Sequence, residues 1–121
     1  MEFRQAGMQA IAASAPAAFD LVILSDVLHH VPDDRRQALI DSIRTALAPG
    51  GSFVFKDWER NHTPIHWLGY ASDRWLTGDR ISYLSRQQMH ERLAGSFGRS
   101  SLVAEERVRP WRNNLAILVR P

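Results

Sequence analysis

Residues Phe19 to Leu24 form a run with no alternation of polar and apolar positions, and it leads straight into Ser25, Asp26, His29 and His30. Such a run marks a strand covered on both faces in a parallel sheet, because only helices above and below can bury its whole length. That feature restricts the chain to an α/β architecture. It also raises a question, since a buried strand is an unusual mount for a serine, an aspartate and two histidines.

The next segment supplies a flanking helix. Pro32 is followed by Asp33 and Asp34, whose charges favour a helix N-terminus. Leu39, Ile40, Ile43, Ala46 and Leu47 then fall on one face at helical spacing, leaving Arg35, Arg36, Asp41 and Arg44 for the solvent side. Pro49-Gly50-Gly51 stops the helix, proline being unable to continue it and glycine accepting the left-handed backbone of a helix end. Residues 52–57, Ser-Phe-Val-Phe-Lys-Asp, read as a second short strand. Strand, helix, stop and strand over residues 19–57 make a βαβ unit with parallel strands and a right-handed crossover.

Residues 58–84 are irregular and rich in aromatics. Thr63-Pro64 has the form of an N-cap with proline in the first turn, and Ile65, Leu68, Trp75 and Leu76 predict the buried face of a helix ending before Gly78. Ser85-Arg86-Gln87-Gln88 has capping-box spacing and predicts a helix from Arg86 to Ala94, ahead of Gly95. Leu102–Val108 and Leu115–Val119 are strand-like. Their short connection makes them an antiparallel hairpin closing one edge of the sheet.

At 121 residues, 45% hydrophobic and 23% charged, the chain is an ordinary single globular domain. It has no cysteine, so neither a disulfide framework nor a thiolate metal site exists, and a cytoplasmic setting is expected. The N-terminus lacks the basic start and leucine-rich core of a signal peptide, and no apolar run approaches a membrane span. The net charge of +2 is uneven: residues 1–34 hold one arginine against five acids, and the rest of the chain holds the excess of base. Those arginines are scattered among acids, without the basic stripe and interleaved aromatics that nucleic acid requires. His62 and His66 stand four apart, but His62 precedes the expected N-cap Thr63 and no third ligand has a convincing spacing, so no metal site is expected.

Ligands of open α/β sheets bind beyond the carboxyl ends of the strands, which is where Ser25-Asp26 and Lys56-Asp57 lie. The first strand then places Ser25, Asp26, His29 and His30 at the lip of a cleft; the alternative is that Ser25 and Asp26 only cap the next helix. The combination FDLVILSDVLHHV, a helix, LAPGG, SFVFKDWE, an aromatic segment, a helix and a closing hairpin resembles the C-terminal half of a class I S-adenosylmethionine-dependent methyltransferase of the small-molecule type, over about residues 19–121.

The resemblance implies a partial Rossmann-like sheet: strands 3 to 7 of seven in the family order 3-2-1-4-5-7-6, the last antiparallel, with helices on both faces. Residues 2–8 would be the third strand and its loop. The resemblance also implies S-adenosyl-L-methionine as cofactor, with Ser25, Asp26 and Val27 lining its methionine and sulfonium side and His30 bordering the same pocket. Trp58, Trp67, Tyr70 and Trp75 lie where the family builds its pocket for a small-molecule acceptor, although an aromatic cluster also suits a lid packed on the sheet. Removing a proton from an oxygen or nitrogen acceptor calls for a base; His29, His30, His62, His66 and Asp57 are available, and of these His30 and Asp57 are the candidates. Asp57 could instead pair with a nearby arginine. His29 is expected to be packed or solvent-exposed, because sequence neighbours do not easily face one ligand.

Two family features are missing from these residues: the glycine-rich E/D-x-G-x-G-x-G loop, and the acid that ends the second strand. In the family order, strands 1 and 2 separate strand 3 from strand 4. Without them the run 19–24 has a bare apolar edge, which invites pairing with another chain. The chain is therefore expected to be a truncated methyltransferase domain with Met1 an internal methionine, its partner either a second copy or a chain supplying the missing strands. The alternative is a catalytically inactive remnant, or an interaction module that pairs through this edge. An α/β hydrolase fits poorly, because no G-x-S-x-G elbow occurs.

Overall fold

The computed structural model describes residues 3–60, 82–110 and 112–121, together with Leu68, Ala71 and Trp75. Its elements are α1 (Met8–Ser14), β1 (Phe19–Ser25), α2 (Asp33–Ala46), β2 (Leu47–Trp58), α3 (Arg86–Phe97), β3 (Leu102–Val108) and β4 (Asn114–Val119), with 3-10 turns at Leu28–His30 and Arg99–Ser101. The strands form a sheet in the order β1-β2-β4-β3. β1 lies parallel to β2, with Leu21 opposite Ser52 and Ser25 opposite Lys56, and β4 is antiparallel to both β2 and β3. The expected βαβ unit and C-terminal hairpin are both present, and the order reproduces 4-5-7-6 of the family sheet. Among the described residues no helix is long and apolar enough to cross a membrane.

One core holds the layers together. Phe53 and Phe55 of β2 and Leu115, Ile117 and Val119 of β4 face Ile40 and Ile43 of α2 and Met89, Leu93 and Phe97 of α3, all of them buried. Each such side chain stabilises the fold by about 1.5–3 kcal/mol relative to exposure. Phe97 stacks on Phe53 with ring centroids 5.6 Å apart. α1 packs on α2 and buries Ala12. The link from α1 into β1 is tied to the end of α2, Ala17 N–H donating to Thr45 O at 2.8 Å and Ala18 N–H to Ala46 O at 2.9 Å.

The helix stop works differently from the expectation. α2 ends at Ala46, Leu47 is already extended and pairs with Phe19, and the ladder resumes at Leu21–Ser52. Ala48 to Gly51 therefore make an irregularity within the entry to β2. Gly50 has φ +78°, and a Cβ on Gly51 would lie 2.9 Å from the Ala48 carbonyl oxygen, so the doubled-back path needs a glycine at each position. At the other helix the capping box is complete, Ser85 N–H donating to Gln88 Oε1 at 2.9 Å and Gln88 N–H to Ser85 Oγ at 3.3 Å. α3 nevertheless runs through Gly95, the expected stop, and ends at Gly98 with φ +86°. Tertiary packing overrides the glycine: Ser96 is buried and accepts from Gln37 Nε2 at 2.7 Å, and Phe97 joins the core.

Four expectations are corrected by exposure and pairing. β1 is not covered on both faces: Leu21 is 54% and Ile23 62% exposed, while Val22 and Leu24 pack on the core. The three helices share that one core, and among the described residues nothing covers the other side of β1. Of residues 2–8, expected to hold a third strand and its loop, residues 3–7 are irregular, with no ladder partner in the sheet, and Met8 opens α1. Arg36, assigned to the solvent side of α2, is 1% exposed. Leu68 and Trp75, expected on a buried helix face, are 70% and 86% exposed. The rest of that predicted helix lies outside the described residues.

A polar cluster ties α3 to β3. Glu105 accepts from Arg86 Nε at 2.8 Å and meets His90 Nε2 at 2.5 Å. Burial alone would push the Glu105 carboxyl up, but the hydrogen bonds and charges of Arg86 and His90 outweigh it and hold it below the ordinary carboxylate range. A lowered carboxyl contributes stability that is present above its unfolded value and lost as pH falls through its folded value. Urea denaturation at about pH 6 and about pH 3 should therefore show a smaller acid loss in Glu105→Gln than in the parent chain. Core and open face should also separate: Phe55→Ala should cost about 3–5 kcal/mol, and Ile23→Thr should change stability by no more than about 0.5 kcal/mol.

Candidate functional site

The parallel pairing of β1 and β2 brings their carboxyl ends together. Ser25 sits opposite Lys56, and the residues that follow, Asp26 and Asp57, leave the ladder side by side. Asp26 N–H donates to Lys56 O at 2.9 Å, the last bond of the pair. At that point the chain turns sharply, Asp26 adopting φ +57°. Aspartate is among the few non-glycine residues that tolerate this conformation, and such strain at a strand end is characteristic of ligand sites.

Asp26 is fixed from two sides: its Oδ2 accepts from Ser25 Oγ at 2.9 Å and from Lys56 Nζ at 2.7 Å. Its Oδ1 is buried and has no hydrogen-bond partner. Around it Ser25 is exposed and Val27 is 40% exposed. Ser25 and Asp26 do not cap a helix here; the N-cap of α2 is Pro32, and the intervening 3-10 turn has no side-chain cap.

That turn, closed by His30 N–H to Val27 O and Val31 N–H to Leu28 O, both at 3.0 Å, places consecutive histidines at different depths. Leu28 and His29 are buried, and His30 is exposed. His29 Nδ1 makes a short contact with Asp57 Oδ1. Asp57, 2% exposed, accepts two more hydrogen bonds, from His29 N–H at 3.1 Å and from its neighbour Trp58 N–H at 2.8 Å. Three donors compensate a carboxylate that burial would otherwise penalise heavily. The His29 ring is flanked by His30 at 4.1 Å and by Tyr83 at 5.3 Å, and Tyr83 in turn lies 6.4 Å from the Trp58 ring.

The chain's likeness to known proteins agrees with this geometry. Residues 2–96 match the family described as a methyltransferase domain. The chain belongs to that family. It is 36% identical over 61 residues to the ubiquinone biosynthesis O-methyltransferase of Azotobacter vinelandii, a match covering 50% of this chain and 25% of that enzyme. The matched segment thus covers about a quarter of the length of these curated relatives. Among solved structures, an O-methyltransferase family protein from Burkholderia thailandensis superposes with a TM-score of 0.74 at 15% identity, over 98% of this chain and 35% of that one. The complex of DhpI with SAH superposes with a TM-score of 0.62 at 26% identity, over 99% and 54%.

In this methyltransferase domain the residues expected from the sequence separate into groups. Ser25, Asp26, Val27 and His30 gather at the open end of β1, and Trp58 stands half-buried at the end of β2. Trp75 is exposed, and Trp67 and Tyr70 lie outside the described residues. Asp57 meets a histidine in place of an arginine, and that histidine is His29, not His30. The pairing depends on the 3-10 turn, which has no sequence signature as clear as a helix or strand period. Tyr83, which stacks on His29, carried no such signal either.

Removing the carboxylate should show how much it holds. Asp57→Ala strands two backbone N–H groups and the His29 ring, and should cost about 3–5 kcal/mol in urea denaturation. Asp57→Asn keeps an acceptor oxygen and should cost less.

Proposed function

We propose that this chain takes part in methyl transfer from S-adenosylmethionine to a small-molecule acceptor, forming the wall of the site built on the carboxyl ends of β1 and β2. The observation that carries the reading is a buried histidine–carboxylate pair set directly behind a strained, open strand end. The names of the relatives and structural neighbours, O-methyltransferases and a complex with SAH, support the same chemistry.

The residues at the end of β1 suit the methionine half of the cofactor. Asp26 Oδ1 has an unfilled acceptor valence for an ammonium or hydroxyl donor, and Ser25, Val27 and His30 are open beside it. When bound, this cofactor supplies an electrophilic methyl group on a sulfonium. The chain's own task is then to orient the acceptor and take its proton. A His29 ring that donates its Nδ1–H to Asp57 has a fixed orientation and keeps Nε2 as the lone-pair nitrogen. His29 is accordingly the better candidate base, with Asp57 positioning it. His30, exposed at the mouth, serves the cofactor side of the pocket, and Trp58 offers an apolar surface to the acceptor.

The open edge of β1 is part of the same proposal. The site requires a further wall beside β1, where the cofactor's other half would rest, and a second copy or another chain that pairs with β1 would provide it. The alternative reading, an interaction module without activity, rests on the same exposed edge and lacks any explanation for the His29–Asp57 pair.

The test is titration of the purified chain with S-adenosylmethionine carrying a 13C-labelled methyl group, followed by NMR, with Ser25→Arg as the blocked control. Saturable perturbation of the methyl signal, abolished in Ser25→Arg, is the expected result. No perturbation at millimolar cofactor, at any state of association of the chain, would sink the cofactor reading.

A further inference from the structure

The Arg36 guanidinium is buried, and among the described residues it hydrogen-bonds no substrate-facing group of the site; two of its three contacts are to the backbone segments beside His29, and the third is to Asp33. Arg36 Nε–H donates to Val31 O at 2.9 Å, and Nη2–H donates to Ser82 O at 2.5 Å. Nη1 faces Asp33 Oδ1 at 3.5 Å, and Asp33 also accepts from Arg92 Nη2 at 2.6 Å. Val31 ends the turn that presents His29. Ser82 is held on its other side by His29 itself, its N–H donating to His29 O at 3.2 Å. The following residue is Tyr83, which stacks on the His29 ring.

The chain is also drawn together beneath this point. Arg60 N–H donates to Leu84 O at 2.8 Å, and Glu59 bridges to Leu84. The path that leaves β2 at Arg60 and returns at Ser82 is therefore closed at its base, and Arg36 is the side chain that joins that closure to the histidine turn. Burial disfavours the guanidinium charge, Asp33 and more distantly Asp57 favour it, and Arg92 opposes it. A residue held against such a cost has a specific job, and here only a planar fork with several donors can satisfy two carbonyls and a carboxylate at once.

Resting on the reading of His29 as base, we infer that Arg36 is a positioning residue of the site: it clamps the Leu28–Val31 turn to Ser82-Tyr83, and so keeps the His29 ring between Tyr83 and Asp57. Lysine replaces the rigid fork with a single mobile ammonium that does not hold Val31 O and Ser82 O at the fixed geometry of the guanidinium, and methionine fills the volume without a donor. Either replacement removes at least one of the hydrogen bonds that tie Val31 O and Ser82 O to one side chain, and so loosens the segment that carries Tyr83.

The measurement is 1H–15N NMR of the histidine rings, in which the His29 Nδ1–H held by a buried carboxylate gives a separate, strongly downfield proton signal. The wild-type chain should show it, and Asp57→Asn should assign it by moving it upfield, the neutral amide oxygen being a weaker acceptor than the carboxylate. Arg36→Lys and Arg36→Met should each lose or broaden the signal while circular dichroism reports a folded chain. Arg92→Ala, which perturbs Asp33 but neither carbonyl, should keep it. Retention of the signal in either folded Arg36 variant, or its absence from the wild type, would overturn the inference. If neither variant folds, hydrogen exchange in the wild type decides. Equal protection of Arg36 Nε–H and the Ser82 amide supports one shared clamp, and independent exchange refutes it. These spectra do not depend on cofactor, so a chain that shows the clamp but fails to perturb labelled S-adenosylmethionine would separate this inference from the functional reading.

Discussion

The parallel pairing of β1 with β2 is the constraint from which most of this structure follows. Parallel neighbours cannot be joined by a tight turn, so a crossover helix must return the chain to the starting end of the sheet. α2 fills that need, and its apolar stripe of Ile40, Ile43 and Ala46 decides which face of the sheet becomes the core. The same pairing makes both strands end at one rim. Asp26 and Asp57 stand together only because Ser25 lies opposite Lys56. A shift of one residue would turn the side chains of a strand to the other face, carrying Asp57 out of the core and away from His29.

At that rim two carboxylates meet different fates. Asp26 is half exposed, pinned by Lys56 and Ser25, with one oxygen unfilled. Asp57 is buried and saturated by three donors. The difference comes from the faces of the sheet: Asp57 continues the inward series of Phe53 and Phe55, while Asp26 follows the sharp turn at the end of β1. One carboxylate is thus suited to receive a ligand and the other to hold a side chain in place.

How much of this the sequence revealed depends on how local each signal was. The βαβ unit, the capping box at Ser85-Gln88 and the hairpin were legible because each rests on a period or a cap within a few residues. Gly95 misled, since its local preference for ending a helix lost to the burial of Ser96 and Phe97, which no local rule weighs. Arg36 misled for the same reason. Its place on α2 follows helical spacing, but its burial depends on the Ser82 carbonyl, distant in sequence. In the site, residue types and strand ends were legible, whereas the identity of the paired histidine was not. His29 and His30 are chemically equivalent in the sequence, and only the 3-10 turn distinguishes the one facing inward.

The exposed side of β1 follows from the same physics. Its apolar run was read as a strand covered twice, and the residues are of the kind that such a place selects; in the structure Leu21 and Ile23 face outward, with no helix over them among the described residues. Both the run and the structure are consistent if the sheet continues past β1 when the site is complete. A strand whose free edge and one face are apolar is poorly suited to stand in water, because it offers unpaired backbone groups together with the side chains that would stabilise a partner. Asp26 and its unfilled oxygen lie at the end of that same strand. On the proposed reading, covering β1 and enclosing the ligand would be a single event, in which the contact that protects the apolar edge also removes water from the rim where His29 and Asp57 stand.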